Sequence, residues 1–268
     1  MIKKRILWIS ISLFFLVCII FGYIIVGYYS LADEIITQKA KITHKEDSLI
    51  VIFIGDSWAS YHSQYDQHLK TCIETKVKKP TKVISKGTVG AKTKSIYKEM
   101  HIDGPSGTKE LIELLPNYAI VSAGINDAVA KMGTKNYCHH YNLIIKELIS
   151  AGIKPIIIDM PQVDYKAIYQ RESIIAKIRH HISSWITGAP LWTFDKYRSA
   201  LQSLIRQDAI KKRLIYISAS EWNPEGFKDS RHLYLEDHVH LNEKGYFLLD
   251  SCLTSTIYQD IMSTHDFQ

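Results

Sequence analysis

Five short apolar runs rich in Ile and Val punctuate the chain, at residues 50–54, 82–85, 118–123, 154–159 and 213–218. Runs this short and continuous suit strands buried on both faces, as in a parallel sheet. Helix-like segments separate them. One spans residues 136–150, closed by Gly152 and followed by Pro155. Two more, 165–187 and 195–211, fill the longest connection, and a last one covers about 243–262. This alternation predicts an α/β domain with helices on both faces of the sheet. There is no internal repeat and no low-complexity segment.

The front of the chain has a different character. Residues 6–29 carry no charge and are mostly Ile, Leu, Phe, Val and Tyr, a run long enough to cross a bilayer. Lys3, Lys4 and Arg5 precede it, and Asp33 and Glu34 follow. The positive-inside rule then assigns residues 1–5 to the cytoplasm, 6–29 to a transmembrane anchor, and the rest to the extracytoplasmic side. Residues 30–49 read as a polar stalk, and residues 50–268 as the functional domain. A signal peptide cleaved after Ala32, in Ser30-Leu31-Ala32, is the competing reading, although the run exceeds an ordinary signal core.

The 268 residues carry a net charge of +6. Three of those charges are Lys3, Lys4 and Arg5, so the remainder carries +3. That mild excess excludes a case for nucleic acid. Cys18 lies within the apolar run. Cys72, Cys138 and Cys252 show no metal-ligand spacing and leave at most one disulfide, of unreadable pairing.

Polar motifs stand at the ends of the predicted strands. Gly55-Asp56-Ser57 closes the first and opens a helix. A hydroxyl there lies where open α/β sheets bind ligands, but it needs a base to become a nucleophile. Asp237-His238-Val239-His240-Leu241-Asn242 offers one. Asp237 and His240 lie close enough for a single loop to supply a base and the carboxylate that orients it. His238 is the competing base. A tetrahedral intermediate also needs donors for its oxyanion. The Ser57 N–H at a helix start, Gly90 in Lys86-Gly87-Thr88-Val89-Gly90-Ala91, and the Asn126 amide in Gly124-Ile125-Asn126-Asp127 are candidates.

These four blocks, in this order, resemble those of the SGNH hydrolases, also called GDSL esterases and lipases, over about residues 50–260. The resemblance implies a flavodoxin-like three-layer α/β/α sandwich with a five-stranded parallel sheet. It implies Ser57 as nucleophile, His240 as base and Asp237 as its orienter. Ser57 N–H, Gly90 N–H and Asn126 would form the oxyanion hole. Three positions depart from the family pattern: Trp58 replaces a common leucine, Lys86 a frequent asparagine, and His238 a frequent glycine. Trp58 and Lys86 are expected to reshape the pocket.

Other polar residues have plainer readings. Asp56 and Asp127 are expected to cap helices or tie loops. The pairs His139-His140 and His180-His181 do not share a helix face and make poor metal sites. His62, His68 and His101 have no evident partner and read as surface or packing residues. Trp185, Trp192 and Tyr197 read as core, with a sugar-binding cleft as the alternative.

The expected activity is serine ester hydrolysis outside the cytoplasm. O-acetyl or other short acyl groups on cell-envelope or exported polysaccharide are the leading substrate, and lipid esters the second. Acyl transfer to another hydroxyl would use the same triad. A non-catalytic binding component of a polysaccharide assembly is the reading from another class. No metal or organic cofactor is implied, and protein partners are not indicated.

Overall fold

The computed structural model describes residues 2–35, 47–161, 163, 165–191 and 194–265. Two compact units divide at Asp33. The first is the helix α1 (Ile2–Tyr29), within which Ser10–Tyr29, 20 residues, is long and apolar enough to cross a membrane.

The second unit is built on five parallel strands: β1 (Leu49–Gly55), β2 (Thr81–Gly87), β3 (Tyr118–Ser122), β4 (Lys154–Ile158) and β5 (Ile215–Ile217). Between β1 and β2 lie α2 (Ser57–His62) and α3 (Asp66–Val77). Between β2 and β3 lie α4 (Thr93–Glu99) and α5 (Lys109–Glu113). α6 (Ile125–Val129) and α7 (Thr134–Ser150) follow β3. The long connection after β4 holds α8 (Tyr165–Arg171), α9 (Ile174–Thr187), α10 (Asp195–Ile205) and α11 (Asp208–Lys211). After β5 come α12 (Ala219–Trp222), α13 (Gly226–Asp229) and α14 (Glu243–His265).

All five expected strands form, within a few residues of their expected bounds. The segment 165–187, read as one helix, is two. Ser173 breaks it by capping α9, its hydroxyl accepting the Ala176 N–H at 3.2 Å. The segment 195–211 likewise splits into α10 and α11.

The strand order is β2-β1-β3-β4-β5. Strand order reverses at β1, which opens a crevice at the carboxyl ends of β1 and β3. Side chains alternate across the sheet. Val51, Phe53, Ile120, Ile156 and Ile158 join Leu69 and Ile73 of α3 and Tyr246, Leu249 and Leu253 of α14 in one buried cluster. Ile52, Ile54, Ala119 and Val121 are buried on the opposite side, where α4 and α7 pack. Both faces are therefore covered, which is why the strands read as continuous apolar runs and not as alternating ones.

Candidate active site

Ser57 is the first residue of α2, directly past the end of β1. The turn that delivers it depends on close backbone contact. Asp56 N–H donates to the Ser122 carbonyl of β3 at 3.2 Å. A Cβ on Gly55, which sits at φ +150°, would lie 2.1 Å from that same oxygen, so the position admits only glycine. Asp56 caps α2: its carboxylate accepts the Trp58 N–H at 3.1 Å and the Ser122 hydroxyl at 3.2 Å. Burial pushes its carboxyl up to about 6, against the pull of those two donors. The capping role expected for Asp56 is the one it has.

The carboxyl-side loop reaches the same point from far along the chain. His240 Nε2 lies 2.8 Å from Ser57 Oγ, and its Nδ1 lies 2.5 Å from Asp237 Oδ2. The other Asp237 oxygen accepts the backbone N–H groups of Val239 at 2.9 Å and His240 at 3.0 Å. Partial burial raises the Asp237 carboxyl, but these donors outweigh it and hold the group below the usual carboxylate range. Asp237 is thus an anion fixed on three sides, and His240 is held with one nitrogen toward it and the other toward the serine. The nitrogen placed at Ser57 Oγ belongs to His240, not to the competing His238. His238 forms the bend of the loop at φ +58°, the conformation that a glycine would adopt without strain.

Asn126 lies on α6, just past β3, and one of its amide hydrogens goes to the Ala91 carbonyl at 3.0 Å. A carboxamide has two N–H donors, so this bond orients the group while leaving the second available. Gly90 lies one residue before Ala91, exposed, at φ +78°. Asp127 binds the two blocks together. It is fully buried and accepts both the Thr93 N–H (2.9 Å) and the Thr93 hydroxyl (2.7 Å) at the start of α4. Burial raises its carboxyl to about 6 despite those bonds. Its role is structural, as expected.

Lys86 and Trp58, two of the departures noted in the sequence, both have partners within the domain. The Lys86 ammonium donates to the Gly104 carbonyl at 2.9 Å and pairs with Glu110 at 2.8 Å. Trp58 is buried against Trp222, ring centroids 5.7 Å apart. Its indole N–H donates to the Val239 carbonyl at 3.1 Å, so it braces the histidine loop. Tyr246 donates its hydroxyl to the Trp58 carbonyl at 3.0 Å. Arg171 of α8 adds bonds to the carbonyls of Glu236 (3.3 Å) and Asp237 (3.2 Å). Sequence reasoning missed both braces, because nothing local links residue 58 or 171 to the loop at 236–240.

His62 and His68 correct a second expectation: they have partners. His62 is fully buried, with Nε2 2.8 Å from Asp250 and Nδ1 2.8 Å from the Ser85 hydroxyl. His68 Nδ1 lies 2.6 Å from the other Asp250 oxygen. The network ties α2, the helix that begins with Ser57, and α3 to α14. His101 has a partner too: it lies edge-on to Tyr97, and its Nδ1 is 4.0 Å from the Glu147 carboxylate. Tyr197 is core, whereas Trp185 is 86% exposed, and Trp192 lies outside the described residues. All four cysteines are free. Among the described residues no cluster of His, Cys, Asp and Glu has the makings of a metal site.

Two cavities of about 470 and 590 Å³ open elsewhere on the domain, and neither is lined by Ser57, Asp237 or His240. The site is instead at the sheet edge where the crevice opens.

Solved structures share this architecture. An acetyl xylan esterase, AlAXEase, superposes with TM-score 0.55 at 17% identity, over 78% of this chain and 100% of its own. The lipase/acylhydrolase from Enterococcus faecalis gives 0.54 at 16% identity, covering 79% and 96%. A GDSL-like lipase from Bacteroides thetaiotaomicron gives 0.51 at 15%, covering 79% and 88%. The fold is the SGNH hydrolase fold. Within it, the expected three-layer sandwich and parallel sheet are present. At these identities the likeness establishes the fold; no family model and no curated protein matches the sequence. Ser57, just past the carboxyl end of β1, meets the Asp237–His240 loop there, and Asn126 follows β3, the strand paired with β1.

Proposed function

We propose that this chain is a serine ester hydrolase that removes O-acetyl or other short acyl groups from carbohydrate outside the cytoplasm. The observation that carries the reading is the unbroken relay from Ser57 Oγ through His240 to Asp237.

In the first step Ser57 Oγ attacks the ester carbonyl carbon, and its proton passes to His240 Nε2. The resulting imidazolium is stabilised by the Asp237 anion. The carbonyl oxygen becomes an oxyanion, received by the N–H groups of Ser57 and Gly90 and the second amide hydrogen of Asn126. As the tetrahedral centre collapses, His240 returns the proton to the departing alcohol, leaving an acyl-serine. Water then attacks with His240 as base, and the same donors hold the second oxyanion. The products are carboxylic acid and free Ser57, with no net proton on the enzyme.

The acyl and alcohol assignments draw on two supports. One structural neighbour is an acetyl xylan esterase. The apolar α1 and its flanking charges favour a catalytic domain facing the envelope or exterior, where acylated polysaccharides are found.

The test is release of p-nitrophenol from acetyl, butyryl and octanoyl esters by the full-length protein in detergent, beside Ser57→Ala. Hydrolysis fastest on acetate and absent in the variant is expected. Equal rates in both proteins would refute the nucleophile, and a preference for octanoate would refute the short-acyl assignment.

A further inference from the structure

α9 is packed inside out. Its apolar residues Ile174, Ile175, Ile178, Ile182, Trp185 and Ile186 all face solvent, with Trp185 86% and Ile175 80% exposed. At 100° per residue they fall within a single arc of about 120°. The opposite face, turned to the protein, is polar. There His180 and Ser183 are buried, the His180 ring lies 2.6 Å from the Glu172 carboxylate, and the Thr187 hydroxyl donates to the Lys131 carbonyl at 2.9 Å. A helix with this orientation loses hydrophobic stabilisation in water, since the residues best able to supply it are the exposed ones.

We infer that the exposed face of α9 docks on a lipid surface. Three observations favour lipid over protein. Cations flank the stripe: Lys177 falls on one side of the arc and Arg179 on the other, and Arg171 lies just before the helix. An apolar arc containing Trp, with a Lys on one side and an Arg on the other, fits a helix lying in the headgroup region, with cationic heads on anionic lipid and the ring at the interface. The same cations oppose pairing with a second copy of α9, which would bring like charges together. The chain also carries α1, a helix long and apolar enough to span a membrane, and the inference rests on α1 being used that way.

The docking face is linked to the chemistry. Arg171, at the end of α8, holds the carbonyls of Glu236 and Asp237, so the segment leading into α9 supports the loop that carries His240.

The test uses the full chain reconstituted into vesicles of phosphatidylcholine, with or without phosphatidylglycerol, some containing brominated acyl chains. The emission of Trp185 is isolated as the difference between wild type and Trp185→Ser, a change at an 86% exposed residue, with the fold checked by circular dichroism. The expected result is a blue-shifted Trp185 component that bromolipid quenches. Lys177→Glu with Arg179→Glu should weaken the quenching several-fold in vesicles containing phosphatidylglycerol and little in those without. A component that emits as in water and is quenched by iodide would overturn the proposal. So would one shielded from iodide yet untouched by bromolipid, which would assign the face to a second copy or another protein.

Discussion

The indole N–H of Trp58 donates to the carbonyl of Val239 at 3.1 Å, joining the residue after Ser57 to the residue before His240. Ser57 and His240 are therefore positioned through their neighbours as well as through their own contact. Trp58→Phe keeps most of the packing against Trp222 but removes the donor. A cost of about 1 kcal/mol in stability is expected, with kcat lowered roughly tenfold and KM little changed, because the loop loses a positional restraint. Steady-state kinetics beside a thermal melt check this. A variant that matches wild type in kcat would remove Trp58 from the positioning of the loop.

The positive φ of His238 separates the two candidate bases. His238→Gly relieves a left-handed residue of its side chain, while adding freedom to the unfolded chain. These effects oppose each other, so stability should change by less than about 1 kcal/mol and ester hydrolysis should persist. His240→Ala should abolish it. Activity lost in the glycine variant and kept in the alanine variant would reverse the assignment.

Asp237 is held below its ordinary range, and that has a direction in pH. A depressed carboxylate adds stability above its unfolded value near 3.8, and the gain disappears as pH falls through the lower folded value. Asp237→Asn should therefore melt below wild type at pH 7, with the gap closing under acid conditions. Its kcat should fall by roughly a hundredfold or more, because an amide cannot stabilise the imidazolium and favours the wrong tautomer. Melting curves and rates across pH test both parts.

The buried pair His62–Asp250 makes the opposite prediction. Burial lowers the His62 value, but its bonds to Asp250 and Asp66 overcome this and leave it raised above 6.5. A raised histidine contributes stability that is complete below its unfolded value and is lost as pH rises through the folded one. Asp250→Asn leaves the pair broken and should cost about 3–5 kcal/mol. The difference from wild type should be larger at pH 6 than at pH 9, as read from denaturant unfolding at each pH. A gap independent of pH would mean that the pair is not ionised.

The sheet and the polar motifs at its edge were legible because each is local. An Ile-Val run reads as a buried strand, and Gly-Asp-Ser, Gly-Ile-Asn-Asp and Asp-x-x-His each occupy a few consecutive residues. What escaped was contact across long separations. His62 and Asp250 are 188 positions apart, and neither neighbourhood hints at the other. Trp58 stood out only as a replacement for a common leucine, and its bond to Val239, 181 positions away, has no local signal. Trp185 read as core for a related reason. Helical periodicity identifies an apolar face without saying whether protein, lipid or water lies against it.

The central claim is that His240 activates Ser57 as a nucleophile, and covalent capture tests it most directly. Full-length protein would be treated with a fluorophosphonate ester and analysed by mass spectrometry. One adduct per chain is expected, on the peptide carrying Ser57, and greatly slowed in His240→Ala. No adduct, or one on another serine formed equally well without His240, would contradict the account.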